Sequence, residues 1–238
     1  MGKNVLVIGA SGDIGRAIAT QLEKEGYDLI LHYHQNLDAI HDIRVRMKPE
    51  SVLDVIKADL SKPNGENALL NQIVYPIHSI VFASGIALYG LFQDTTEIAM
   101  DQMIAIHVKA PMAITKALLP SMIRNKAGKI VFISSIWGEV GASHEVLYSA
   151  VKGAQNSFVK ALAKEVGPCG IHVNAISPGY IKSKMNQLEP DEENELLQEI
   201  PLGRAGRPSD VANAVSFLLG DKSSYIQGEI IRITGGWN

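Results

Sequence analysis

The chain has 238 residues, 46% apolar and 20% charged, with a formal net charge of −3. That suits one substantial folded domain with a sizeable core and offers no clustered basic footprint for nucleic acid. The single cysteine, Cys169, excludes an internal disulfide, and no metal site is expected because zinc needs several ligands.

Reading along the chain, Met1-Gly2 is followed by Leu6 where a myristoylation signal wants Ser or Thr. The start lacks the zones of a signal peptide, and no apolar run reaches the length of a membrane span. A soluble, cytoplasmic protein that binds neither membrane nor nucleic acid is expected. Seven short Val/Ile-rich runs follow, at 4–9, 28–33, 52–58, 79–84, 129–134, 171–177 and 229–234. Their near-continuous apolarity suits strands buried on both faces of a parallel sheet.

Helical patterns lie between them. One begins at Asp13 and ends at Gly26, a C′ glycine. A long one covers 97–125, as one helix or a broken pair with an irregularity at Pro111. Two more occupy 145–167 and 208–220, the last with Pro208 at its start. No repeat, low-complexity tract or linker divides the chain, so one domain spans 1–238. The alternation predicts an α/β, doubly wound (Rossmann), mostly parallel seven-stranded sheet with helices on both faces. Ligands of such sheets bind beyond the carboxyl ends of the strands, where the unusual residues of this chain fall.

The turn "IGASGDIG" follows the first strand and opens the first helix. Gly9 permits a tight turn, Gly15 permits close packing, and backbone N–H groups there can approach a pyrophosphate. Alone, the turn fits a dinucleotide site and an ordinary tight βα turn equally well. Asp13 is expected to act as the helix N-cap.

Tyr148 and Lys152 lie four apart in a helix pattern and share a face. An ammonium beside a phenol favours the phenolate and draws its pKa down from about 10, making Tyr148 an acid–base group. Ser135, directly after a strand, can donate to the same substrate oxygen. A solvated Tyr-x-x-x-Lys face is common. A strand ending in Ser-Ser, a glycine-containing loop and a helix with Tyr-Ser-Ala-x-Lys-Gly, together with the glycine turn and "NAISPGYIKSKM", is not.

On these motifs the chain resembles the short-chain dehydrogenase/reductase family from end to end. The resemblance implies Ser135, Tyr148 and Lys152 as catalytic residues, with Tyr148 and Lys152 also at the nicotinamide ribose. It places Gly9, Ser11, Asp13, Ile14 and Gly15 around the pyrophosphate, Asp59-Leu60 at the adenine, Ala83 and Gly85 beside the cofactor, and Pro178, Gly179 and Ile181 at the nicotinamide end. Three positions depart from the family pattern: Ile8 replaces a threonine, Asp13 a glycine and Ala83 an asparagine. A fourth, His107, replaces an asparagine that supports a water chain to the lysine. An imidazole can hold a water and titrate near neutrality, so His107 is expected to relay protons, with a satisfied core histidine as the rival.

NAD-specific relatives carry a carboxylate at the end of the second strand. Here that end reads "LILHYHQN", with none before Asp38, and His34 and Gln35 are candidates to contact a 2′-phosphate, so NADPH is the expected cofactor. Trp137, Glu139 and Glu145 lie where the family's substrate wall runs, and 180–203 reads as a substrate lid. Within the family the chain is similar to the 3-oxoacyl-[acyl-carrier-protein] reductase branch. More closely, on "SSIWGEVGASHEVLYSAVKGAQNSFVKALAKE", it resembles reductases of the 5-aminopentanone carried on a lysine of elongation factor P. The partner is then elongation factor P, or else an acidic acyl carrier protein, for which Arg124, Lys126, Lys129, Arg204 and Arg207 are candidate docking cations. The family is usually tetrameric, so a homotetramer is expected. A non-catalytic NADP-sensing module is the alternative from another class.

Overall fold

The computed structural model describes residues 3–237, so the Met1-Gly2 start lies outside the described residues. Seven strands form one sheet: β1 (Asn4–Ile8), β2 (Asp28–Tyr33), β3 (Val52–Lys57), β4 (Ser79–Phe82), β5 (Gly128–Ile133), β6 (Ile171–Pro178) and β7 (Ile230–Ile233). Their order is β3-β2-β1-β4-β5-β6-β7, and every pairing is parallel. The strand order reverses between β1 and β4, which places a crevice at their carboxyl ends.

Alternation along β1 explains its unbroken apolarity. Val5 and Val7 enter one core, and Leu6 and Ile8 the other, all four with no exposed surface. The first core is closed by α1 (Asp13–Lys24), α2 (Leu37–Arg44) and α9 (Pro208–Leu219), through Ile18, Leu22, Ile40, Val211 and Val215. The second is closed by α3 (Gly65–Leu70), α5 (Ala110–Asn125) and α7 (Val146–Val166), through Leu69, Ile114, Val159 and Val166. Each such side chain contributes about 1.5–3 kcal/mol by leaving water.

The long run at 97–125 is a broken pair. After α4 (Glu97–Ile104), a π-helical turn at Ala105–Lys109 leads into α5. The irregularity precedes Pro111 rather than sitting on it. A proline has no N–H for the carbonyl four residues earlier, His107, and its ring crowds that carbonyl, so the turn before it widens. Among the described residues four α-helices escape the sequence pattern: α2, α3, α6 (Trp137–Val140) after β5, and α8 (Pro190–Glu199) within the segment read as a lid.

Candidate active site

The glycine turn is fixed by its neighbours. Gly9 has φ +86°, and a Cβ there would lie 2.5 Å from the Ser84 nitrogen. A Cβ on Gly15 would lie 2.1 Å from the Gly9 oxygen. No other residue fits either place without displacing backbone. The imidazole of His32, buried in β2, braces the turn from beneath: Nδ1 accepts from the Gly9 N–H at 3.2 Å and Nε2 donates to the Ala58 carbonyl at 3.1 Å. Burial pulls His32 down to about 4, so the ring stays neutral and holds both bonds. Motif reading passed over His32; its only signal is a lone imidazole inside an apolar strand.

Asp13 does not cap its helix. Gly12 is the N-cap, without a side-chain capping bond, so the N–H groups of the first turn of α1 remain available to an anion. The carboxylate of Asp13 turns aside to the Arg16 guanidinium and to the backbone N–H of Lys184, the latter at 2.7 Å. Burial raises its pKa, but the Lys184 N–H and the Arg16 bond and charge outweigh that and lower it overall. Its negative charge is therefore compensated at a turn whose bare glycines and open N–H groups fit a dinucleotide pyrophosphate. The same bond ties the segment after β6 to the turn. Asp13→Ala is expected to speed tryptic cleavage at Lys182 and Lys184 by about tenfold, the cost of one charge-assisted hydrogen bond, as read by timed digestion and mass spectrometry. Unchanged cleavage would remove the latch.

His34, beyond β2, places Nε2 3.3 Å from the Asp59 carboxylate. Burial raises Asp59, but hydrogen bonds from the Ser61 hydroxyl and N–H, with the charges of His34 and Lys62, bring it below its usual range. Leu60 is buried next to it, while Ser11, Ile14, Ala83 and Gly85 are partly enclosed. A Cβ on Gly85 would lie 2.7 Å from the His107 ring. Pro178 ends β6 and Gly179 follows it, with the Pro178 carbonyl accepting from Ile136 N–H and the Gly179 N–H donating to the Ile233 carbonyl. Ile181 is buried and bridges to Gly206.

Ser135 and Tyr148 come together across the gap between β5 and α7. The buried Ser135 hydroxyl accepts from the Trp137 N–H at 3.2 Å and reaches the Tyr148 phenol. The Lys152 ammonium lies 5.4 Å from the centre of the Tyr148 ring and donates to the Ile133 carbonyl at 2.8 Å. Burial alone pulls Lys152 down to about 7. In the protein by itself the phenol is pushed up rather than drawn down: burial dominates, the Glu145 charge adds to it, and the Ser135 bond offsets it only partly. The lysine donates to a backbone carbonyl, with its ammonium 5.4 Å from the centre of the phenol ring.

His107 sits in the π-turn with no exposed surface, its ring edge-on to Tyr148 at 5.7 Å. Nε2 lies 2.9 Å from the Ile86 oxygen and 3.2 Å from its nitrogen. Titration near neutrality does not hold. Burial, then the Lys152 charge, lowers the imidazole to about 3, so it is neutral at working pH.

The substrate-side residues divide. Trp137 packs edge-on to Trp237, ring centres 5.2 Å apart. The Glu139 carboxylate faces Arg232 at 2.9 and 3.0 Å and the Ser177 hydroxyl at 2.7 Å. Both its oxygens are thus engaged within the fold, which explains its lowered pKa against the opposing effect of burial. Glu145, half-buried, is pushed up by burial, offset in part by a hydrogen bond from Trp137. Two of the expected docking cations are engaged too: Lys129 is buried on the Gly220 carbonyl, and Arg204 binds Asp210 at 2.8 Å.

Two further residues of α7 carry the loop and the lysine, and sequence reading assigned neither a role. The buried Asn156 accepts from the Ser134 hydroxyl at 2.6 Å and donates to the Gly138 carbonyl at 3.1 Å, bracing the loop that presents Ser135. Gln155 lies between Lys152 and the π-turn. The lid segment is held by Tyr180, whose hydroxyl donates to Glu193 at 3.2 Å, and by Lys182, which meets the same carboxylate at 2.8 Å. Among the described residues no helix is long and apolar enough to cross a membrane.

A family model described as enoyl-(acyl carrier protein) reductase matches residues 9–238. The chain is 47% identical over 241 residues to an uncharacterized oxidoreductase of Bacillus subtilis, YmfI, covering 100% of both. It is 34% identical to the 3-oxoacyl-[acyl-carrier-protein] reductase FabG of Staphylococcus epidermidis, covering 99% of each. The crystal structure of a 3-oxoacyl (acyl-carrier-protein) reductase from Agrobacterium tumefaciens with NADP bound superposes with a TM-score of 0.92 at 26% identity, over 99% of this chain and 94% of that one.

Proposed function

We propose that this chain, which belongs to the short-chain dehydrogenase/reductase family of oxidoreductases, is an NADPH-dependent ketoreductase of the 5-aminopentanone group on elongation factor P. One observation carries the chemistry: Ser135, Tyr148 and Lys152 converge beside the crevice where the glycine turn ends β1. NADPH, when bound, supplies the hydride. Ser135 orients the carbonyl oxygen, Tyr148 gives it a proton, and Lys152 holds a positive charge beside the phenol. The glycine turn and the first turn of α1 hold the pyrophosphate, and Asp13, neutralised by Arg16, does not oppose it.

The preference for NADPH is supported by the end of β2, where His34 stands and no carboxylate occurs before Asp38, and by the NADP bound to the Agrobacterium relative. Comparing kcat/KM for NADPH and NADH on one ketone tests it, with NADPH expected to be used at least about tenfold better. An NADH preference overturns it.

The choice of substrate is supported by Glu145. A carboxylate half-buried beside the catalytic tyrosine suits a substrate ending in an ammonium and has no use toward a fatty acyl chain. Glu139 is not available for that role. The second reading, a 3-oxoacyl thioester on acyl carrier protein, is favoured by the names of the 34% identical relatives. Purified enzyme offered both substrates separates them, and turnover of the thioester alone rejects the first.

A further inference from the structure

Gln155 lies one helical turn after Lys152 on α7, on the same side of the helix. It is 4% exposed and Lys152 3%. A primary amide in such a place must satisfy both ends, and this one does. Its Nε2 donates to the His107 carbonyl at 2.7 Å, and its Oε1 faces the Lys152 ammonium at 3.4 Å. The first bond has a cause in the sequence: Pro111 has no N–H to offer the His107 carbonyl, which accepts from Gln155. The oxygen end of the amide is thereby turned toward the lysine and cannot swap with the nitrogen end without placing N–H groups against the ammonium.

We propose that Gln155 is a positioning residue: its amide, anchored on the carbonyl of the π-turn, holds Lys152 charged and aimed in the cleft. This rests on the reading of Lys152 as the support of Tyr148. The titratable groups that face Lys152 are Tyr148 on its own helix and His107 from the π-turn, both neutral at working pH. The end of β5 contributes the neutral Ile133 carbonyl, and Glu145, the N-cap residue of α7, acts on Tyr148. The ammonium therefore meets two uncharged acceptors, Ile133 O and Gln155 Oε1. Because burial has already brought Lys152 down to about 7, loss of either acceptor changes its charge in the working range.

The test is the titration of Lys152, followed by NMR on ¹³Cε-labelled lysine in the cofactor-free protein, together with the pH profile of kcat. The folded-state pKa of Lys152 governs loss of the ammonium as pH rises. Gln155→Leu removes an acceptor of the charged form, so the titration and the alkaline limb should move to lower pH by about one unit. Gln155→Glu places a carboxylate there and should move both to higher pH. A purely packing role would lower stability or activity at all pH values and leave the titration in place. Coincident Lys152 titrations in the wild type and both variants, or shifts of the same sign in both, overturn the proposal. Opposite shifts of the titration with an unmoved kcat profile sustain the role of Gln155 and reject instead the reading of Lys152 as support for Tyr148. Should the leucine variant fail to fold, Gln155→Met supplies the same loss of acceptor.

Discussion

Tyr148→Phe is expected to lower kcat/KM for ketone reduction by about 10²–10⁴-fold, the usual contribution of a positioned proton donor, with the dissociation constant for NADPH changed by less than about threefold. The substitution keeps the ring, and with it the edge contact to His107 at 5.7 Å and the place of the ring 5.4 Å from Lys152. It removes the hydroxyl that Ser135 reaches. Cofactor affinity measured by fluorescence titration and turnover measured by loss of NADPH absorbance separate the two effects. The sign of the pH dependence follows from Lys152. Burial lowers it to about 7, so its ammonium is present below that pH and lost above it. Reduction by the wild type should therefore decline through the range above about pH 7. A Phe variant reducing ketones at the wild-type rate would end the reading of this cleft as a proton-donating site.

Glu145→Gln is expected to reduce kcat/KM for a ketone that carries a terminal ammonium by about 10–100-fold, the worth of one charge-assisted pair. The same variant should leave a neutral ketone of equal length unchanged or slightly faster. Glu145 is half-buried, its carboxylate is engaged by the Trp137 indole, and its charge opposes ionisation of Tyr148. A cationic substrate neutralises that charge; a neutral one does not. Because burial raises the pKa of Glu145, the preference for the cationic ketone is present above that pKa and is lost as pH falls through it. Equal losses on both ketones would show that the residue serves packing, and that the charge of the substrate is not read at this position.

The two carboxylates of the substrate wall illustrate how far sequence reading reaches. Glu139 and Glu145 look alike in the sequence, six residues apart. Only the fold brings Arg232, from the far-edge strand β7, and Ser177, from β6, onto Glu139 while leaving Glu145 beside Tyr148. His107 is a similar case. Its departure from the family pattern is plain in the sequence. Its neutrality is not, because the imidazole loses its proton through burial in a turn that no periodicity announces.

By itself the sequence determined the alternation of strands and helices, and therefore the doubly wound sheet, because apolar runs buried on both faces and amphipathic helices leave few other ways to bury a core. It also determined which serine, tyrosine and lysine stand at strand and helix ends, since their spacing is local. The tertiary structure alone decided the partners of Asp13, the bracing of the glycine turn by His32, and the amide bridge from Gln155 to the π-turn. The bonds from Lys184 to Asp13, from Gly9 to His32 and from Gln155 to His107 join residues 171, 23 and 48 positions apart, and the last uses a carbonyl freed by Pro111. Burial and direction, which set the charge of every group in the cleft, arise only when those segments meet.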